Sequence, residues 1–291
     1  VNDGVEAITT CDNGIAAGEA VKLAKKNNLT VIVTDHHAIP FTTVEAGKNS
    51  EDVSGQYPQE ADTERGSFDF YKDGNIYHLP HADCVVDPHR ADDTYQFPGI
   101  CGAVVAFKLI SELFEMADRT DAMRYLPEAA FATVTDIMEL KDENRAIVSL
   151  GLKQLSQSEN IGLDKLIAVT GLDKNNIKAW QIGFVLGPCF NASGRIDSAE
   201  KALRLLLETD EEKAEQEALE LVSLNEQRKA MEQQGIDVAL ETLSHAESLP
   251  TVIVYYMPAL HESLCGLVAG KIKEKYNRPT FVLCKTVNGD V

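Results

Sequence analysis

Short apolar runs alternate with helical stretches along the first ninety or so residues. Val5 to Thr10 predicts a strand, the Ala- and Lys-rich stretch from Ile15 to about Asn27 a helix, and Thr30 to Val33 a second strand. Strand, helix, strand at this spacing is a βαβ unit, whose strands run parallel and lie buried beneath helices. Polar residues just past the two strands, Asp12 after the first and Asp35-His36-His37 after the second, then share one edge of the sheet. In open α/β sheets ligands bind outside the carboxyl ends of the strands, which makes this edge the first candidate site.

Residues 41 to about 80 break that rhythm, being polar and poor in periodic apolar positions. Within them Phe68 to Tyr71 and Ile76 to Leu79 flank Lys72-Asp73-Gly74-Asn75, and Asp-Gly between aromatic and β-branched residues predicts a hairpin. The whole stretch reads as an insertion made of a mobile acidic loop and a surface hairpin, with a partner-binding loop as the alternative. Cys84 to Asp87 resumes as a strand closed by Pro88, and helices are predicted over Gly102–Met116, Leu126–Leu140, Asn144–Leu155 and Lys174–Leu186. Thr209 as N-cap with Glu212 reaching back makes a capping box. It opens a long amphipathic helix in which Ala214, Ala218, Leu221, Leu224, Met231, Val238 and Leu243 recur at mostly three- to four-residue steps. Ser248-Leu249-Pro250 ends this connector, and Thr251–Tyr256, His261–Tyr276 and Pro279–Leu283 predict strand, helix and strand. The expected organisation is a first α/β domain at 1–207, a connecting helix at 208–247 and the start of a second, smaller α/β domain at 248–291.

A length of 291 residues fits about two domains, and 44% hydrophobic with 25% charged residues suits a folded soluble chain. No apolar run reaches the eighteen or so residues that a membrane span needs. The formal charge of −19, from 27 Lys+Arg against 46 Asp+Glu, argues against holding duplex DNA through a broadly basic surface and leaves a local basic groove open. Six scattered cysteines with no C-x-x-C pair point to a reduced, cytoplasmic chain with small core thiols. A start at Val1 with no signal segment reads as an interior piece.

Carboxylate and imidazole groups without thiolate, as in Asp12, Asp35, His36 and His37, suit Mn2+ or Mg2+ better than structural zinc. The alternative is a polar strand terminus whose Asp35 caps the next helix. Asp136 interrupts an otherwise apolar helix, where an unpaired buried carboxylate is costly, so it caps, pairs with a cation or binds a metal. In Gly187 to Arg195, small residues permit close backbone approach while Asn191 and Arg195 offer donors to a phosphate; a tight turn with an ordinary surface Arg is the other reading. His261 opens a helix in the second unit, either as a cap or beside an anion held by the helix N-terminus.

Taken in order, these segments resemble the DHH phosphoesterase superfamily, and within it the RecJ-like single-stranded-DNA exonucleases. The resemblance rests on Ile8-Thr9-Thr10-Cys11-Asp12-Asn13-Gly14, Val31-Ile32-Val33-Thr34-Asp35-His36-His37, Cys84-Val85-Val86-Asp87-Pro88 and the helix opening at Ile100-Cys101-Gly102-Ala103. It continues through Ala132-Thr133-Val134-Thr135-Asp136, Asn191-Ala192-Ser193-Gly194-Arg195, His261 to Val268 and Tyr276-Asn277-Arg278-Pro279. It implies a parallel-sheet DHH domain with helical additions and a DHHA1-like second domain. It also implies a two-metal site with Mn2+ or Mg2+, in which Asp12, His36 and Asp136 are ligands and His37 meets the scissile phosphate with Asp35 in support. Asn191 and Arg195 would hold phosphate, with His261 contributing across a cleft narrow enough for one strand. The implied activity is 5′→3′ hydrolysis of single-stranded DNA to 5′-mononucleotides in repair and recombination, with single-strand-binding protein and a helicase as partners.

Family features expected outside 1–291 are an Asp-x-Asp motif on a preceding strand and a later phosphate loop, so the resemblance implies that this chain alone is nearly inactive. Cys189-Phe190 stands where the family more often has Arg-Leu or Arg-Ile, which removes one basic contact. Two other readings stay open: a DHH phosphodiesterase or pyrophosphatase for small phosphate compounds or short oligonucleotides, and a catalytically inactive replication scaffold. Retention of Asp12, His36, His37 and Asp136 speaks against the scaffold.

Overall fold

Three short parallel strands carry the candidate edge. A computed structural model describes residues 4–44, 56–57, 68–246 and 248–285. In chain order the first unit contains β1 (Ala7–Thr9), α1 (Gly18–Lys26), β2 (Thr30–Thr34), β3 (Phe41–Thr43), β4 (Asp69–Lys72), β5 (Asn75–His78) and β6 (Cys84–Val86). Strands β1, β2 and β6 form one parallel sheet in that order, with Ile8 opposite Val31 and Thr34 opposite Val86. Helix α1 places Glu19 in its first turn and Lys25 and Lys26 in its last, each complementing the helix dipole. Ile15, Val21, Val31, Val33 and Val85 meet in one apolar core, which fixes the sheet register that the alternation in β2 requires.

The hairpin around Asp73-Gly74 is present as β4 and β5, with β3 added antiparallel to β5. It is more than a surface ornament. Phe70 is fully buried in the same core as Val31 and Val33, and stacks on Tyr77 at 5.1 Å between ring centroids. The expected acidic loop, at 45–55 and 58–67, lies outside the described residues.

Helices α2 (Gly102–Met116), α3 (Leu126–Thr135) and α4 (Asp142–Leu155) follow. The first matches the sequence expectation. Helix α3 stops short of the expected Leu140, because Asp136 forms its C-cap and Ile137 turns left-handed at φ 57°. Asp136 therefore ends a helix rather than interrupting one. Helix α4 starts two residues earlier than expected, with Asp142 and Glu143 in its first turn.

Contacts divide the chain into two compact units, 1–158 and 159–291. The second holds α5 (Ile161–Val169), α6 (Ala179–Gln181), a π-helical turn at Ile182–Leu186, α7 (Gly187–Ile196), α8 (Glu200–Leu207) and α9 (Glu211–Ser244). It ends with β7 (Ile253–Tyr256), α10 (Cys265–Tyr276) and β8 (Thr280–Leu283). The packing division falls inside the span that sequence patterning assigns to the first domain, since α5, α7 and α8 all pack on α9. Residues 187–195 are helix, not the tight turn that their glycines suggested; Gly187 has φ −57°. Helices α5 and α8 lacked a sequence expectation, the former capped by the Asn160 carboxamide accepting from Leu163 N–H at 2.9 Å.

Asp210, not Thr209, caps α9, accepting from Lys213 N–H at 2.9 Å. Glu208 satisfies the Thr209 and Asp210 amides instead of a reciprocal box. The strand, helix, strand unit after α9 is present as expected, with β7 and β8 parallel and Ile253, Leu264, Val268 and Ile272 packed with Ala239 of α9. Among the described residues no helix is long and apolar enough to cross a membrane.

Candidate functional site

Asp12 and the Asp35-His36-His37 segment leave β1 and β2 at the same sheet edge, and a pair of threonines ties the two exits together. Thr34 Oγ1 donates to the Thr10 carbonyl at 2.6 Å, and Thr34 N–H donates to Thr10 Oγ1 at 3.2 Å. The chain then turns at Asp12, whose φ of 59° is left-handed, a conformation that Asp tolerates better than most residues. That turn carries Asp12 against the N-terminus of α2, where Gly102 leaves space for it: a Cβ at Gly102 would lie 2.5 Å from the Asp12 Cβ.

Asp35 is the structural centre. Its carboxylate is buried and accepts from Ile15 N–H at 2.9 Å, from His36 N–H at 2.8 Å and from His37 N–H at 3.3 Å. The His37 ring meets it through Nδ1 at 2.7 Å. Burial acts to raise the Asp35 carboxyl, but these hydrogen bonds outweigh it and hold the group below the ordinary carboxylate value. Asp35 in turn raises the His37 imidazole, and leaves Nε2 as the ring nitrogen free to face outward. The alternative, Asp35 as the cap of a following helix, is not realised: the next element after β2 is the strand β3, and Asp35 instead binds the Ile15, His36 and His37 amides and orients His37.

His36 Nε2 lies 2.9 Å from Asp12 Oδ1 and 3.4 Å from Asp136 Oδ2. The His36 side chain is only 10% exposed, yet this nitrogen makes no aligned hydrogen bond with either carboxylate. A buried nitrogen held between two carboxylate oxygens without satisfying either is a donor set that a divalent cation could engage. Ligand atoms of Asp12, His36 and His37 all lie within 4.8 Å of one another. Burial raises the Asp136 carboxyl, against the pull of His36 and with the push of Asp12. Hard oxygen donors with imidazole and no thiolate fit Mn2+ or Mg2+.

Three residues that shape this edge carried no assigned role in the sequence reading. Gly102 makes room for Asp12. Asn144, fully buried at the start of α4, donates through Nδ2 to the Gly99 carbonyl at 2.7 Å and the Glu139 carbonyl at 3.0 Å. It thereby ties the loop before Gly102 to the loop after Asp136. Its one signal in the sequence is an amide at a position in phase with buried Ile147, Val148 and Gly151. Asp87, at the end of β6, has a fully buried side chain that accepts from His89 N–H at 2.8 Å, and burial pushes its carboxyl up.

The remaining sequence candidates belong to the second unit. Asn191 and Arg195 are exposed on α7. Arg195 Nη1 donates to the Ser263 carbonyl at 3.1 Å, and His261 Nδ1 caps the turn at Glu262–Leu264 by accepting from Ser263 N–H at 3.3 Å. Arg195 and His261 thus converge on Ser263, joining two segments distant in sequence. The capping alternative for His261 is realised in the same geometry.

No family model matches the chain. The single-stranded-DNA-specific exonuclease RecJ of Bacillus subtilis (strain 168) is 33% identical over 281 residues, which cover 96% of this chain and 30% of that protein. The chain therefore spans under a third of that relative's length. A crystal structure of exonuclease RecJ bound to manganese superposes with a TM-score of 0.75 at 29% identity, over 97% of this chain and 62% of that one. RecJ from Thermus thermophilus in complex with Mn2+ gives a TM-score of 0.73 at 29% identity, over 97% and 37%. The similarity runs along nearly the whole chain and the α/β fold is the same, so this chain is RecJ-like.

Proposed function

We propose that the full-length protein containing this chain is a metal-dependent exonuclease that degrades single-stranded DNA from the 5′ end to 5′-mononucleotides in DNA repair and recombination. The observation that carries the reading is His36 Nε2, buried and unsatisfied between Asp12 and Asp136 at a strand-end edge. Asp12, His36 and Asp136 would hold the divalent ion, Mn2+ or Mg2+; the similar RecJ structures are described as bound to Mn2+. When bound, such ions supply an activated water and charge stabilisation for in-line displacement at phosphorus.

The chain's own contribution is positioning. Asp35 accepts from His37 Nδ1, fixes the ring and keeps its raised proton affinity, so Nε2–H can donate to a non-bridging oxygen of the scissile phosphate. His37 belongs to the same cluster of side chains as Asp12 and His36, which places its ring beside the residues that would hold the ion. Asn191, Arg195 and His261 would hold neighbouring phosphates, which the exposed guanidinium of Arg195 supports.

In this reading 1–207 is the DHH domain, 208–247 the connecting helix and 248–291 part of a DHHA1-like domain, supported by the long α9 and the parallel β7–β8 pair after it. A cytoplasmic location is supported by six free thiols. Single-strand-binding protein and a helicase as partners rest on the family resemblance alone.

The test uses the full-length protein with Mn2+ on single strands labelled at the 5′ end. The expected result is early release of labelled mononucleotide, lost on His36→Ala. Progressive shortening of strands that retain the 5′ label, or equal cleavage of blunt duplex, would overturn it.

A further inference from the structure

Between Asp173 and Asp197 the chain carries no acidic side chain, and its charged groups there are Lys174, Lys178 and Arg195. In a chain of net charge −19 this is a local reversal of sign. Lys174 pairs with Asp164 at 2.7 Å, while Lys178 and Arg195 stay exposed. Arg195 gives an N–H to Ser263, and a guanidinium has five to offer.

The same segment turns large aromatic surface outward. Trp180 is 59% exposed and Phe184 78%. Along the rod formed by α6, the π-helical turn and α7, Trp180, Phe184, Pro188, Asn191 and Arg195 follow at steps of four, four, three and four. Trp180, Phe184, Asn191 and Arg195 are exposed and Pro188 is half-buried, so this row faces outward. The other face is accounted for by Ile182, Leu186, Cys189 and Ala192, all buried. At a rise of about 1.5 Å per residue the outward face runs roughly 20 Å from the indole to the guanidinium.

Deepening the exonuclease reading and resting on it, we propose that this face is a track for single-stranded nucleic acid, with bases stacked on Trp180 and Phe184 and backbone phosphates held by Asn191 and Arg195. Exposed π-faces interleaved with cations are what sequence-tolerant binding of a single strand requires, since every base offers a face and every linkage a charge. A duplex keeps its bases stacked on each other and offers these rings nothing. The absence of carboxylates along the segment means that it adds no repulsion of its own to a polyanion lying on it.

Trp180 is the only tryptophan in these 291 residues, so in this chain its emission reports on this face alone. The protein is titrated in EDTA, which prevents hydrolysis, with an oligodeoxythymidylate of about 12 nucleotides, an abasic strand of equal length and a blunt duplex. Quenching by the first and not by the other two is expected. Phe184→Ala should weaken binding of the thymidylate roughly 5- to 100-fold, the loss of one base stack, with an unchanged circular dichroism spectrum. Equal quenching by the abasic strand, or unchanged affinity in Phe184→Ala, overturns the track. Failure of the wild type to bind any single strand overturns it too. The Mn2+-dependent hydrolysis assay of the full-length protein reports separately, so a track that fails beside a working nuclease is told apart from a failed nuclease.

Discussion

Gly102 and Asp12 stand in direct contact: a Cβ on Gly102 would fall 2.6 Å from both the Asp12 Cα and its Oδ1. The first turn of α2 is thus moulded to the left-handed turn that aims Asp12 at His36. Gly102→Ala must push one of them away, because the intruding atom meets backbone as well as side chain. We expect Mn2+ affinity to fall about 10- to 100-fold, the usual effect of disturbing a ligand's support. Stability should drop by about 1–3 kcal/mol from overpacking. Calorimetric titration with Mn2+ and urea denaturation measure the two separately.

His36 should be the ligand whose loss is felt most, since its buried nitrogen stands between both carboxylates. At Mn2+ concentrations about a hundredfold above the dissociation constant, ligand binding to the native state alone adds about 2.7 kcal/mol. The wild-type melting temperature should rise with Mn2+ and return on chelation. His36→Ala should show no rise at all.

Asn144 ties the loop before Gly102 to the loop after Asp136 through a single amide group. Asn144→Leu keeps the branched shape, though it is larger, and strands two carbonyls, a cost of about 1–3 kcal/mol for each one left buried and unpaired. Asn144→Asp should be worse than neutral as well, because a carboxylate cannot donate to either carbonyl. Both variants should weaken Mn2+ binding without touching a ligand, which a purely global loss of stability would not do at temperatures where the fold is intact.

Asp83 holds the far end of the sheet. Its carboxylate accepts from Val31 N–H at 2.7 Å and pairs with Lys25 at 2.6 Å. The Lys25 bond, then the Val31 amide, lower its proton affinity in the folded state. A carboxyl lowered on folding stabilises the protein above its unfolded value, near pH 4, and loses that contribution as pH falls through the lower folded value. With 43% of the Asp83 side chain exposed, solvent screening limits the contribution to about 1 kcal/mol. Asp83→Ala should therefore be less stable than wild type at pH 7, and the difference should close as pH falls below the carboxylate range. Urea midpoints measured across that range test it.

Much of the fold was legible in residue order. The βαβ opening, the Asp73-Gly74 hairpin, α2 and the β7–α10–β8 unit all follow from local periodicity and turn chemistry, which act over a few residues. Helix ends were less legible. Thr209 and Asp210 are both good caps, and the choice went to Asp210 because Glu208 had already satisfied the neighbouring amides. The glycines in 187–194 suggested a turn, yet helix prevails where Gly187, Cys189 and Ala192 are buried. Phe70 looked like a residue of a surface hairpin because nothing local says that its ring reaches Val31 and Val33.

By itself, the sequence determined the chemistry: which carboxylates and imidazoles follow which strands, and that those strands, being parallel, end at one edge. Parallel pairing makes that inference hold over any loop length. Only the tertiary structure decided that Asp136, ending a helix far along the chain, reaches His36, that a glycine makes room for Asp12 and that a buried asparagine ties the two flanking loops together. It also decided that Trp180 and Phe184, apolar residues that periodicity alone would bury, face water. Distance between ligands and exposure of a ring depend on what packs against them from elsewhere in the chain, and no local pattern encodes that.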